Sequence, residues 1–151
     1  MGGAVTSLRL RAKHTEQIHA HLCRAYPEEG CGVLLGREAG ETREVERVLP
    51  FENRREDSRH HRYLIAPEQV LTAELEGRES GLEVVGFFHS HPDHSAAPSA
   101  FDLEHAWPYY SYVIVSVEGG RVVDARSWRL AADRSRFESE TLEQTPEEAP
   151  A

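Results

Sequence analysis

Leu82-Glu-Val-Val-Gly-Phe-Phe-His-Ser-His-Pro92, with Ser99-Ala-Phe-Asp102 close behind it, decides how this chain is read. The apolar run up to Phe88 has the length and the β-branched and aromatic content of a buried strand. Side chains alternate along a strand, so His89 and His91 point to one face. Phe87 and Phe88 bury the strand just before them, which predicts that the two imidazoles emerge at the rim of a sheet. Asp102 arrives eleven residues after His91, past a Pro/Ser/Ala turn and in the first turn of a predicted helix. Two imidazoles and a carboxylate make a three-ligand set suited to zinc, with the fourth position left to water. That pattern predicts a metal-dependent hydrolase.

Working outward, residues 5–11 read as a first edge strand. Residues 13–26 read as a helix, with Ile18, Leu22 and Tyr26 recurring at i, i+4, i+8 and Pro27 stopping it. Gly30-Cys-Gly-Val-Leu-Leu-Gly36 is too short for a helix and is bounded by glycine, so it reads as a buried strand. Residues 42–50 alternate loosely and suit a strand returning through a turn at residues 38–40. Residues 51–61 are almost devoid of apolar side chains and read as an exposed loop. Residues 62–65 read as a short strand. Pro67 opens a helix to about residue 79, with Val70, Leu71 and Leu75 as its inward stripe. A short helix follows over 99–107. Strands are expected over 111–117, 122–130 and 137–142. The fold class expected is α+β, with a central mixed β-sheet flanked by helices in a three-layer arrangement. Residues 1–142 form one domain, and residues 143–151 form a disordered acidic tail.

His-x-His alone carries little information. Nine histidines in 151 residues produce about 0.5 such pairs by chance. A second pair, His19 and His21, lies on the predicted first helix, where positions i and i+2 face apart. His60 and His61 fall in the polar loop and are expected to be solvated. Ser99-x-x-Asp102 can also be read as a helix capping box. Near two strand-borne histidines, the ligand reading of Asp102 gains weight. His105, one turn on, competes as a ligand, although a structural role suits it better, and His94 is expected to be solvated or to line the cleft.

A second signal is Tyr26-Pro-Glu-Glu-Gly-Cys-Gly32, an acid beside small residues at a helix-to-strand junction. Standing alone it reads as an ordinary acidic turn; its functional reading is a general base, taking a proton from water and passing it to a leaving amine. Cys31 lies in an apolar strand without an evident partner base and is read as a core residue.

Taken in order, these residues resemble the JAMM (MPN-plus) metalloprotease family. His-Ser-His-Pro, seven residues from 92 to 98, then Ser99 and Asp102 reproduce its signature spacing. Pro27-Glu-Glu-Gly-Cys-Gly32 resembles the upstream block of small bacterial members, in a register that selects Glu29 rather than Glu28. Residues 50–53, 63–67 and 113–116 also fit the bacterial pattern, so the resemblance spans roughly residues 6–130. It implies a single-domain JAMM/MPN fold, similar to cytidine deaminases. It also implies one zinc on His89, His91 and Asp102, Glu29 as the catalytic glutamate, and Ser99 as a donor to the oxyanion. The implied substrate is a peptide or isopeptide bond after the C-terminal Gly-Gly of a ubiquitin-like or sulfur-carrier protein. The chain lacks the long insertions of eukaryotic ubiquitin-chain enzymes, which favours a simple carrier.

Competing classes leave different traces. A zinc nucleobase deaminase needs His-x-Glu and Pro-Cys-x-x-Cys, and the chain has neither. A DNA-repair-associated branch of the family has Asn between the histidines and glycine in the turn, where this chain has Ser90 and a glycine-free turn. A non-catalytic MPN-type scaffold that binds a ubiquitin-like partner is the alternative to an enzyme, although such scaffolds usually lose the ligands kept here. A net charge of -9 without a basic stripe disfavours nucleic acid. No apolar run approaches the roughly 18–20 residues of a membrane span. Two cysteines without a CxxC, and no signal-peptide pattern, lead to an expected cytoplasmic location.

Overall fold

β1 (Ser7–Arg11) sits between two parallel neighbours, β3 (Thr42–Phe51) and β7 (Phe137–Thr145), and those two pairings close the sheet into a ring. The computed structural model describes residues 6–59 and 62–146. His60, His61 and the end of the expected tail lie outside the described residues. From β3 the ring continues through β2 (Cys31–Ala39), β4 (Glu83–Pro92), β5 (Ser111–Glu118) and β6 (Arg121–Leu130) to β7. β4 and β5 are parallel, and the other pairs of this series are antiparallel. The sheet is mixed and carries helices, as expected. It is a closed barrel rather than the central layer of a sandwich, because β1 finds a partner on both edges.

α1 (Ala12–Ala25) buries His14, Ile18 and Leu22, one residue per turn of a single face. Its apolar side joins Leu34, Val45, Val85, Phe88 and Val113 in the main core. α2 (Pro67–Glu79) covers the opposite side of the sheet, over Val33, Leu35 and Val84. The inward stripe expected on this helix is wrong. Gln69, Ala73 and Gly77 face the sheet, whereas Leu71 is 55% and Leu75 48% exposed. The helix lies too close for large side chains: a Cβ on Gly77 would stand 3.0 Å from the Leu82 carbonyl oxygen and 3.4 Å from a Leu35 methyl.

Residues 62–65 are not a strand either. Their backbone bonds within the loop instead: Leu64 N–H donates to the Asn53 side chain at 3.0 Å, and Arg54 N–H to the Leu64 carbonyl at 2.9 Å. β7 runs three residues past its expected end, because Glu143, Gln144 and Thr145 pair with Arg9, Leu10 and Arg11. Arg9 Nε donates to Glu143 at 2.8 Å. The start assigned to the tail, residues 143–145, is therefore sheet. Among the described residues, no helix is long and apolar enough to cross a membrane.

One irregularity positions the site. Leu34 pairs with Gly86 and Leu35 with Val84, so Val85 is an extra residue in β4. Val85 and Phe88, three residues apart, consequently share the α1-side core. Phe87, His89 and His91 then fall on the other face by alternation.

Candidate metal centre

β4 carries its histidines within its paired length and not past its end. His89 is matched with Cys31 and Ile114, and His91 with Ser116. Both are buried, at 1% and 6% exposure. The expectation that they emerge at the rim is corrected accordingly: β4 continues to Pro92, and the imidazoles form the wall of a cleft. α3 (Ala100–His105) supplies Asp102 from its first turn.

The three side chains converge. His89 Nε2 lies 3.2 Å from His91 Nε2 and 3.2 Å from Asp102 Oδ1, and His91 Nε2 lies 2.9 Å from Asp102 Oδ2. Tetrahedral zinc with bonds of about 2.0–2.1 Å separates its ligand atoms by roughly 3.3–3.4 Å. The three side chains are thus close enough together for one ion to be held among them. His91 Nδ1 is 2.7 Å from the Ser95 carbonyl oxygen. A carbonyl only accepts, so Nδ1 carries the proton in the neutral ring and Nε2 turns its lone pair to the cluster.

The capping reading of Asp102 is seen, and it leaves the carboxylate facing the histidines, so the two readings do not compete. Ser99 Oγ accepts from Asp102 N–H at 3.0 Å, and Asp102 Oδ2 accepts from Ser99 N–H at 2.9 Å. The box fixes the carboxylate that faces the histidines. Burial alone would raise the Asp102 carboxyl. Without a metal, a protonated His89, ring N–H groups donated by the histidines in that protonated form and the Ser99 N–H outweigh it and hold the group well below the usual carboxylate range. Burial lowers His89, which favours the neutral ring that a metal requires.

Glu29 stands in the loop between α1 and β2 and is 4% exposed. Its Oε1 is buried without a hydrogen-bond partner. Burial, then the negative charge of Asp102, pushes its carboxyl up to about 9. A cation held by the triad would offset both effects. The backbone around Glu29 is gripped from two sides. Glu29 N–H donates to the Arg59 carbonyl at 2.6 Å, and its own carbonyl accepts from Asn53 Nδ2 at 2.9 Å. Gly30 N–H donates to Ser90 Oγ at 2.9 Å, and Ser90 N–H returns to the Gly30 carbonyl at 3.1 Å. Ser90, the middle residue of His-x-His, thus ties the Glu29 loop to β4.

Ser99 is exposed at the helix cap, where its hydroxyl oxygen accepts, leaving the proton available to a substrate oxygen. His105 is turned back on the Phe101 carbonyl at 2.9 Å and stands outside the ligand group. His94 is exposed. His21 Nε2 faces the Cys31 and Phe51 carbonyls at 3.0 and 3.1 Å, a structural role. Burial, then Glu29, pushes the Cys31 thiol up to about 12, which makes it a poor nucleophile.

Sequence reading missed two neighbours of the centre. Tyr63 stacks on His89, with ring centroids 4.4 Å apart and planes 22° from parallel. Asn53 bonds the Glu29 backbone. Both stand in stretches that fit the bacterial pattern, but their contacts depend on how the 52–66 loop folds. That loop and α3 also wall a groove of about 480 Å³, in which Tyr63, Phe87, Phe101 and Tyr112 line the approach to His89 and Asp102.

Residues 11–131 match the family described as prokaryotic homologs of the JAB domain, and the chain belongs to that family. A probable TtuB-protein conjugate cleaving protease of Thermus thermophilus is 39% identical over 106 residues, covering 70% of this chain and 68% of the relative. A CysO-cysteine peptidase of Mycobacterium tuberculosis is 34% identical over 130 residues, 85% of this chain and 86% of the relative. A Desulfitobacterium hafniense protein of known solution structure superimposes with a TM-score of 0.81. It is 36% identical, with coverage of 93% of this chain and 94% of that one.

Proposed function

We propose that the chain is a zinc-dependent (iso)peptidase that hydrolyses the bond after the C-terminal Gly-Gly of a ubiquitin-like or sulfur-carrier protein. The observation that carries this reading is the convergence of His89, His91 and Asp102 within bonding reach of one ion. The relatives named for cleaving a TtuB-protein conjugate and a CysO-cysteine bond support this class of substrate.

His89 and His91 would hold the ion through Nε2, and Asp102 would hold it through its carboxylate. Zinc, when bound, supplies a Lewis acid and makes water acidic enough to attack near neutral pH. Glu29 accepts the proton of the attacking water and hands it to the leaving amine, the task for which a buried carboxyl with an unsatisfied oxygen is suited. Ser99 donates its hydroxyl proton toward the substrate oxygen as negative charge grows there. The aromatic groove excludes water from the extended carrier tail and leads it to the centre.

The test is a cleavage assay on a carrier protein ending in Gly-Gly plus a cysteine, or plus a lysine-linked peptide. A chelator and the Glu29→Ala variant serve as controls. Chelator-sensitive release of the adduct by the wild-type chain is expected. Cleavage that survives full removal of metal sinks the proposal.

A further inference from the structure

Asn53 stands in the loop between β3 and α2, and its side-chain amide is fully used. Nδ2 donates to the Glu29 carbonyl at 2.9 Å and to the Arg62 carbonyl at 3.0 Å. Oδ1 accepts from Arg55 N–H at 2.9 Å and from Leu64 N–H at 3.0 Å. An amide has two donors and two acceptor lone pairs, so no capacity is left over.

What those bonds join is more informative than their number. Arg62 and Leu64 flank Tyr63, whose ring stacks on His89. Tyr63, Leu64 and Ile65 also line the groove. The one bond that leaves the loop goes to the peptide of Glu29. The Glu29 side chain cannot orient itself, because its buried Oε1 has no partner. Its direction is set by its backbone. β4 grips that backbone through Ser90 on Gly30, and the loop grips it through the Arg59 carbonyl and Asn53.

We infer that Asn53 is a positioning residue that aims Glu29 by locking its peptide to the groove wall carrying Tyr63. The inference rests on the hydrolase reading, with Glu29 as the general base. Only an amide serves at this position. Aspartate would set an oxygen against two carbonyl oxygens, and alanine would leave all four groups without this partner.

The experiment is a double-mutant cycle in steady-state kinetics, on zinc-loaded protein with a Gly-Gly-extended carrier as substrate. Asn53→Ala and Asn53→Asp should each lower kcat about 10- to 100-fold, the scale of a mispositioned reacting group, with KM changed less than about twofold. In a Glu29→Gln background, the same Asn53 substitutions should cost no further factor. Asn53→Ser, which removes less of the side chain, carries the same comparison where a larger change does not fold. Hydrogen exchange on the metal-free protein gives a readout apart from activity: the Arg55 and Leu64 amides should exchange faster, and the Gly30 amide, held by Ser90, should stay protected.

An equal loss of kcat in both backgrounds overturns the inference, as does an unchanged kcat in the Asn53 single variants. A wild-type chain that cleaves no carrier substrate overturns the hydrolase reading itself, and the positioning role falls with it.

Discussion

Tyr63 lies face to face with His89, its ring centroid 4.4 Å from that of the imidazole. The Nδ1 of His89 is buried without a hydrogen-bond partner, unlike that of His91, which is fixed by Ser95. Stacking therefore orients the His89 ring, as the Ser95 carbonyl orients that of His91, although it gives Nδ1 no acceptor. An aromatic pair of this kind contributes about 0.5–1.5 kcal/mol. Tyr63→Ala should weaken zinc binding by roughly 2- to 10-fold, the same energy expressed as an equilibrium ratio. Tyr63→Phe keeps the ring and should bind as the wild type does. Competition with a chromophoric chelator measures both, and a loss in Tyr63→Phe would assign the effect to the hydroxyl instead.

Asp102 has two tasks that substitution can separate. Asp102→Ala removes the acidic oxygens and the acceptor for Ser99 N–H together, so metal binding and the first turn of α3 should both suffer, the lost hydrogen bond costing about 1 kcal/mol. Asp102→Asn retains an acceptor for Ser99 N–H and loses the charge. When metal-free it should melt below the wild type, because the fold favours the charged carboxylate beside His89 and His91. Its zinc affinity should fall by more than the roughly 10- to 100-fold typical of losing a supporting hydrogen bond. Zinc at about 100 times its Kd should stabilise the wild-type chain by about 2.7 kcal/mol, and calorimetric melting with and without the ion reads that difference. Wild-type zinc affinity in Asp102→Ala would remove this carboxylate from the ligand set.

Glu29 gives the metal-free protein a signed pH dependence. Its folded carboxyl is raised to about 9 from an ordinary 4.5. A raised acid is protonated in the folded state where the unfolded chain has already lost its proton. Its contribution to stability is complete below the unfolded value and is lost as pH rises toward the folded one. Glu29→Gln cannot ionise, so its stability relative to the wild type should increase between about pH 5 and pH 8. Urea melts of chelated protein at those two values measure the change. A constant difference would mean that Glu29 titrates normally. The same variant should retain zinc and lose turnover by about 100-fold or more, the scale of general-base catalysis.

Gly32 couples packing to the centre. A Cβ added there would stand 2.3 Å from the Phe88 ring and 2.5 Å from the Leu49 carbonyl oxygen. Phe88 is fully buried and immediately precedes His89. Gly32→Ala should destabilise the fold by about 1–3 kcal/mol through overpacking. Because β2 and β4 pair at this position, the shift should also reach the metal ligands and weaken zinc binding. Thermal melting and metal titration on one preparation test both effects, and a neutral substitution would show that the strands separate more easily than the geometry implies.

Much of the centre is legible in the sequence because it is local. His89, His91 and Asp102 fall within fourteen residues, the strand repeat of two sends both imidazoles to one face, and a helix cap delivers the acid. The elements of the barrel are likewise readable from apolar runs bounded by glycine and proline. The inward face of α2 is not, because Leu71 and Leu75 look like core until the closeness of Leu82 and Leu35 leaves room only for Ala73 and Gly77. The ring closure depends on β1 meeting β7 across more than 130 residues, a pairing that no local period encodes.

By itself, then, the sequence determined that His89 and His91 share one face of a strand and that Asp102 opens a helix behind it, since alternation and capping act over a few residues. Tertiary structure alone decided that the sheet closes, that Glu29 is buried with an oxygen unsatisfied, and that Tyr63 and Asn53 reach the centre at all. Those contacts join segments tens of residues apart, and their geometry exists only after the chain has packed.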